Sequence, residues 1–162
     1  MRPYIVAKQP IVTKPLPGMD EWIRNAVKYS DRSLWNNGSW VVRDVRGKPG
    51  VISNHARGLA VDLSYRRISQ KKVGRQDGRK ISLAYVIKLI ENANTLGIQL
   101  VIDYALQRSY KCDRGTWIQG NFECGDWYHI EIDPQVAHDA NLAKAGWATI
   151  FGASPQKAPG SV

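Results

Sequence analysis

Apolar residues along this chain recur with two different periods. At Met19, Trp22, Ile23, Ala26 and Val27 the spacing is that of one face of an α-helix. Asp20 and Glu21 suit the positive end of a helix dipole. An amphipathic helix packed by Trp22 is therefore predicted over residues 19–29. Residues 82–96 carry the clearest helical stripe. Ala84, Ile87 and Ile90 line one side, with Asn94 one turn on, and Leu83, Val86, Leu89 and Ala93 widen it. Ser82 stands where an N-cap belongs and Gly97 where a closing glycine belongs.

Shorter apolar runs read as strands. Trp40-Val41-Val42-Arg43-Asp44-Val45 is stopped by Gly47-Lys48-Pro49-Gly50. Val51-Ile52-Ser53 and Leu59-Ala60-Val61-Asp62-Leu63 flank His55. Residues 98–104 are rich in β-branched side chains, and 126–132 alternate up to Asp133-Pro134. A last helix is predicted over 135–145. Asn36-Asn37-Gly38 is a turn signal. Residues 65–80, with Arg66, Arg67, Lys71, Lys72, Arg75, Arg79 and Lys80, read as a basic surface loop or hairpin, and 105–124 as a polar connection.

Strands and helices are partly segregated, and the connections are too short for regular βαβ crossovers. The expected fold class is α+β, a small, mainly antiparallel sheet with helices packed on one face. Residues 1–18, with four prolines, form an extended N-terminal arm; 19–152 form a single domain; 153–162 are a flexible tail or linker.

Composition narrows the function classes. The chain has 162 residues, 43% of them hydrophobic, enough for one folded domain with its own core. No apolar run approaches the roughly 18 residues of a bilayer span, and the N-terminus carries no signal-peptide pattern. The formal charge is +9, which suits a polyanionic partner such as an anionic cell wall or a nucleic acid. Cys112 and Cys124 flank a polar segment; free thiols are favoured over one small disulfide loop. Phosphate-binding glycine loops, HExxH and GxSxG are absent.

The candidate chemistry sits around two of the three histidines. His55, Asp62 and His129 would supply two nitrogens and one oxygen, a donor set that suits Zn²⁺ with a fourth position open for water. A base is needed beside that water. Asp126 lies three residues before His129, on the opposite face if the strand is regular, so a bulge or an irregular strand start would have to turn it. Glu131 lies two residues after His129, on the same face.

Ser53-x-His55-x-x-Gly58-x-Ala60-x-Asp62 matches, position by position, the S-x-H-x-x-G-x-A-x-D motif of the LAS-type zinc peptidases. Asp126-Trp127-Tyr128-His129 fits that family's second motif, an acid, two residues and a histidine. The group takes in D-Ala-D-Ala carboxypeptidases, L-alanyl-D-glutamate endopeptidases of phage endolysins, and the hedgehog signalling domain. The resemblance spans roughly residues 40 to 133. It implies a LAS/hedgehog-like fold, one Zn²⁺ ion on His55, Asp62 and His129, and Asp126 rather than Glu131 as general base. It makes Ser53 a hydrogen-bonding group near the site or the substrate. The family's upstream substrate-binding arginine lacks its usual S-G-Y-R-like context here; Arg43, with Arg46 behind it, takes that place. Gly58 and Ala60 would matter for packing, small residues that let the chain pass close to the metal.

The resemblance implies a zinc metallopeptidase acting on the peptide stem of bacterial peptidoglycan, and a monomer is expected. Aspartate at the base position tilts the expectation towards an endolysin L-alanyl-D-glutamate endopeptidase, made in a host cytoplasm and acting on the wall after release. The basic surface would meet anionic wall polymers. A D-Ala-D-Ala carboxypeptidase of the same family is the nearest alternative, and a non-catalytic metal-binding cell-wall module is the alternative from another class.

Overall fold

The structure is a computed structural model and describes residues 1–152. The elements run α1 (Pro17–Lys28), β1 (Trp35–Gly38), β2 (Asp44–Val45), β3 (Lys48–Ile52), β4 (Ala60–Ser64), α2 (Gly78–Glu91) and α3 (Ala93–Leu96). They continue with β5 (Ile98–Asp103), β6 (Arg108–Lys111), β7 (Trp117–Gln119), β8 (Trp127–Ile132), α4 (Pro134–His138) and α5 (Ala140–Phe151). Six strands make one antiparallel sheet in the order β1-β4-β8-β5-β6-β7, and β2 and β3 pair separately. The α+β class expected from the pattern is what forms. Among the described residues no helix is long and apolar enough to cross a membrane.

Strand alternation divides the sheet into two unlike faces. Val61 and Leu63 of β4 and Tyr128, Ile130 and Ile132 of β8 point into the core, where Trp22, Leu89, Leu96 and Trp147 meet them. The intervening positions, Asp62 on β4 and Trp127, His129 and Glu131 on β8, fall on the other face. Helix α1 begins at Pro17, a residue suited to a first helical turn. Its Trp22 is fully buried, donates from Nε1 to the Leu96 carbonyl at 2.9 Å and meets the Trp147 ring edge-on at 5.3 Å. Gly18 lets α1 touch α4, since a Cβ there would lie 1.9 Å from the Val136 carbonyl oxygen.

Several elements differ from expectation. The Asn36-Asn37-Gly38 run is not a turn. It belongs to β1, an edge strand whose register against β4 shifts between Asn36 and Gly38, so turn-prone residues are absorbed by a bulge. The strand expected over 40–45 shrinks to β2. Gly47, at φ +70°, reverses the chain into β3, so the glycine-proline run joins a hairpin instead of stopping a strand, and Val41 and Val42 stay exposed. The polar connection over 105–124 contains β6 and β7. These outer strands carry no apolar alternation to reveal them; Arg108 of β6 pairs with the buried Asp103 and lies 4.2 Å over the Trp117 ring.

The long helix starts earlier than predicted, with Asp77 at the cap position, which leaves Ser82 buried inside it donating to the Arg79 carbonyl. It breaks at Asn92, whose side chain turns back to the Lys88 carbonyl. The last helix divides at Asp139, which caps α5 by accepting from the backbone amides of Asn141 and Leu142. Gly97 closes α3 in the left-handed conformation, as its position suggested. Cys112 is buried and Cys124 exposed, and both are free thiols. The tail expected over 153–162 lies outside the described residues.

Residues 1–16 carry no helix or strand and are held against the domain. Arg2 pairs with Asp133 at 2.8 Å, the Ile5 amide donates to the Gln99 side chain, and the Val12 amide donates to the Ala56 carbonyl. The basic segment is partly spent on the fold. Arg66 pairs with Asp126, Arg75 with Asp31 and Asp77, and Arg79 with Asp103 and the Tyr128 hydroxyl.

Candidate metal centre

Two local structures bring the candidate ligands together. Ser53 to Leu59 form a tight turn, closed by hydrogen bonds from the Ala56 amide to Ser53, from Gly58 to His55 and from Leu59 to Asn54. The Ser53 hydroxyl accepts from the His55 amide at 3.3 Å, so Ser53 fixes the turn that carries His55. Gly58 sits at φ +70°, where a side chain is strained, and a Cβ there would lie 2.8 Å from Leu16 Cγ. Gly58 matters for packing, as expected. Its missing side chain makes room for Leu16, just ahead of α1, and its backbone closes the turn. The second local structure is the β4–β8 ladder, in which Asp62 and His129 are direct partners. Partners across an antiparallel ladder project to the same face.

Three donor atoms then converge. His55 Nε2 lies 3.4 Å from Asp62 Oδ1 and 3.2 Å from His129 Nδ1, and His129 Nδ1 lies 3.1 Å from Asp62 Oδ1. Three donors bound about 2.0–2.1 Å from a tetrahedral ion would stand roughly 3.3 Å apart. The side chain of His55 is 1% exposed and those of Asp62 and His129 are 13% and 12% exposed. This group could hold a metal ion.

The outer partners of each imidazole make the case stronger. His55 Nδ1 is 2.6 Å from the Ser39 carbonyl oxygen, which can only accept. The proton therefore sits on Nδ1 and the Nε2 lone pair points into the cluster. His129 Nε2 lies 3.2 Å from Glu131 Oε1, so in the neutral ring the proton is on Nε2 and the Nδ1 lone pair also points inward. With the Asp62 carboxylate, three lone pairs meet in a small, largely dry space. That arrangement could accommodate a cation.

Without a metal, a proton serves. Burial alone would push His129 down, but its bonds to Asp62 and Glu131 hold its pKa up, at about 9. Asp62 is pulled well below the usual carboxylate range, because the bonds to His129 and His55 outweigh the opposing effect of burial. Glu131 is likewise lowered against the effect of burial, chiefly by His129.

Two members of the cluster, His55 and His129, line a cleft of about 860 Å³ whose walls also include Arg43, Arg46, Ser53, Tyr104 and Glu131. Arg43 is half-buried there and belongs to an irregular stretch just before β2, not to the strand expected. Arg46 reaches Glu123 at 3.2 Å and lies over the Trp127 ring. Tyr104, which packs on Trp127, has its pKa raised to about 12 by burial and then by Asp62. Of the neighbours Trp127 and Tyr128, Tyr128 is core and Trp127 lines the site face. His138 is exposed at the end of α4.

The two candidate bases stand differently. Glu131 has both oxygens occupied, Oε1 by His129 and Oε2 by the hydroxyl of Tyr4 at 2.6 Å. It holds His129 from behind. Asp126 is one residue ahead of β8 and is not among the residues that line the cleft. Its carboxylate is one-third exposed, with Oδ2 3.1 Å from Arg66 and Oδ1 3.4 Å from the Ser64 hydroxyl. Sequence reasoning missed Tyr4 and the Ser39 carbonyl. Neither sits near a motif, and a backbone carbonyl has no sequence signal.

No family model, curated protein or solved structure matches this chain.

Proposed function

We propose that this protein is a zinc metallopeptidase that cuts the peptide stem of bacterial peptidoglycan, as an endolysin of the L-alanyl-D-glutamate endopeptidase type. The observation that carries the reading is the convergence of three donor atoms, two of them on residues that line a cleft. The motif spacing that produces this convergence supports the peptidase assignment. A Zn²⁺ ion held by His55, Asp62 and His129 would polarise the scissile carbonyl and lower the pKa of water.

The chain's own residues supply the remaining tasks. Asp126 accepts the proton of the attacking water and returns it to the leaving amine. It leaves its pairing with Arg66 to do so. Glu131 is bonded to His129 and Tyr4, as Asp126 is to Arg66 and Ser64, so the choice of Asp126 rests on the motif. Arg43, in the cleft wall, binds a carboxylate of the stem peptide. Ser53 acts through His55, whose turn it holds. The net charge of +9 favours an anionic wall.

The test is digestion of isolated cell walls, with and without a chelator, and mass spectrometry of the released fragments. New N-terminal D-glutamate supports the endopeptidase. Release of free D-alanine instead identifies a D-Ala-D-Ala carboxypeptidase. A folded, zinc-loaded sample that cleaves nothing, matched by an equally inert Asp126→Ala variant, leaves the non-catalytic wall module.

A further inference from the structure

Tyr4 lies far from either motif in sequence, yet its hydroxyl ends beside the metal cluster. It donates to Glu131 Oε2 at 2.6 Å, while Glu131 Oε1 accepts from His129 Nε2 at 3.2 Å. Tyr4 and His129 are thus joined through one carboxylate. The chain segment on either side of Tyr4 is pinned. Arg2 pairs with Asp133 at 2.8 Å and donates to the Ile98 carbonyl at 3.0 Å. The Ile5 backbone exchanges two hydrogen bonds with the Gln99 side chain, at 2.7 and 3.3 Å. Lys111 Nζ lies 4.3 Å over the Tyr4 ring, and Asn54, next to His55, reaches the same hydroxyl at 3.5 Å.

We infer that Tyr4 is a positioning residue of the metal centre, and that the N-terminal arm is a working part of the site. The inference rests on the metal-binding reading above. A carboxylate has two oxygens and can rotate about its Cβ–Cγ and Cγ–Cδ bonds. An unanchored Glu131 would wander among partners and orient His129 only part of the time. The Tyr4 hydroxyl holds one oxygen, so the other stays on His129 Nε2 and the imidazole keeps Nδ1 facing Asp62 and His55. Outer-shell partners of this kind typically change metal affinity by about 10–100-fold. Tyr4 is one bond further out, and its loss is expected to cost less, roughly three- to tenfold by the same principle.

The experiment is a competition titration of Zn²⁺ against a chromophoric chelator, on the full chain and on Tyr4→Phe, Glu131→Gln and the double variant. Thermal unfolding of the metal-free samples is measured alongside. Tyr4→Phe keeps the ring over which Lys111 lies, and the metal-free Tm is expected to stay near that of the wild type. The expected result is a three- to tenfold weaker affinity for Tyr4→Phe, a larger loss for Glu131→Gln, and no further loss in the double variant. That non-additivity is what action through Glu131 requires. Wild-type protein that binds Zn²⁺ with Tyr4→Phe unchanged overturns this inference and leaves the metal site standing. Independent, additive losses overturn the route through Glu131. A wild type that binds no Zn²⁺ overturns both readings together.

Discussion

Asp62 and His129 face each other as Cα partners across β4 and β8, with Oδ1 and Nδ1 3.1 Å apart. Strand register therefore sets the distance between two candidate ligands, and the turn carrying His55 has only to deliver the third. A one-residue slip would move every side chain of β4 to the opposite face. The apolar demand of Val61, Leu63, Tyr128 and Ile130 for the core forbids it.

Removal of any one ligand should abolish useful metal binding. His55→Ala, Asp62→Ala and His129→Ala are each expected to weaken Zn²⁺ affinity beyond the roughly 10–100-fold cost of losing an outer-shell partner. Metal content after dialysis, read by atomic emission, checks this. Retention of a full equivalent by Asp62→Ala would remove the site.

The cluster predicts a particular pH dependence. His129 is raised from 6.5 to about 9, so the stability it lends the metal-free fold is complete below pH 6.5 and is lost as the pH rises through about 9. Asp62 is lowered from 3.8, so its contribution is present above pH 3.8 and is lost as the pH falls below that value. A metal competes with the His129 proton, and apparent Zn²⁺ affinity should climb with pH up to about 9. Calorimetry at pH 7 in buffers of different ionisation enthalpy should show close to one proton released per ion. Zero release would mean that the cluster holds no proton to displace.

Asp126 and Glu131 should separate cleanly. Asp126→Asn is expected to keep Zn²⁺ affinity and to lower kcat on cell walls by about 10²–10⁴-fold, the usual worth of a general base. Glu131→Gln is expected to lower affinity while sparing much of the turnover of the metal-saturated enzyme. The reverse pattern would exchange the two roles.

Gly58→Ala should destabilise the fold by about 1–3 kcal/mol, the cost of a strained left-handed backbone. Leu16 Cγ, 2.8 Å from the new Cβ, must also move. Denaturant unfolding measures the change, and an unaltered midpoint would show that the turn tolerates a side chain.

Trp22→Ala should cost about 3–5 kcal/mol, the range for deleting a large buried aromatic. The residue is fully buried, bonded to the Leu96 carbonyl and packed on Trp147. A shift in midpoint of less than a third of that range would show that α5 collapses onto the gap.

Much of this fold was legible in the sequence where burial and period agree. The helical stripe from Met19 to Ala26 and the alternation along β8 each report one buried face. Strands β6 and β7 were illegible because they lie at the sheet's outer side and have little apolar face to bury. β1 was hidden because a bulge accommodates residues that otherwise favour turns.

The candidate site divides in the same way. By itself the sequence determined which three candidate ligands are offered and their spacing along the chain, because a turn of fixed length follows Ser53 and strand partners share a face. It also held the ambiguity between Asp126 and Glu131. Only the tertiary structure decided that Glu131 stands behind His129, that the Ser39 carbonyl fixes the proton on His55, and that Tyr4 reaches Glu131 across 127 positions of chain. The last two contacts join segments apart in sequence, one through a backbone oxygen and one through a side chain, while the first depends on which way a neighbouring carboxylate turns. A spacing pattern records which residues are neighbours along the chain. It does not record which way a carboxylate or a carbonyl turns once the chain has folded back on itself.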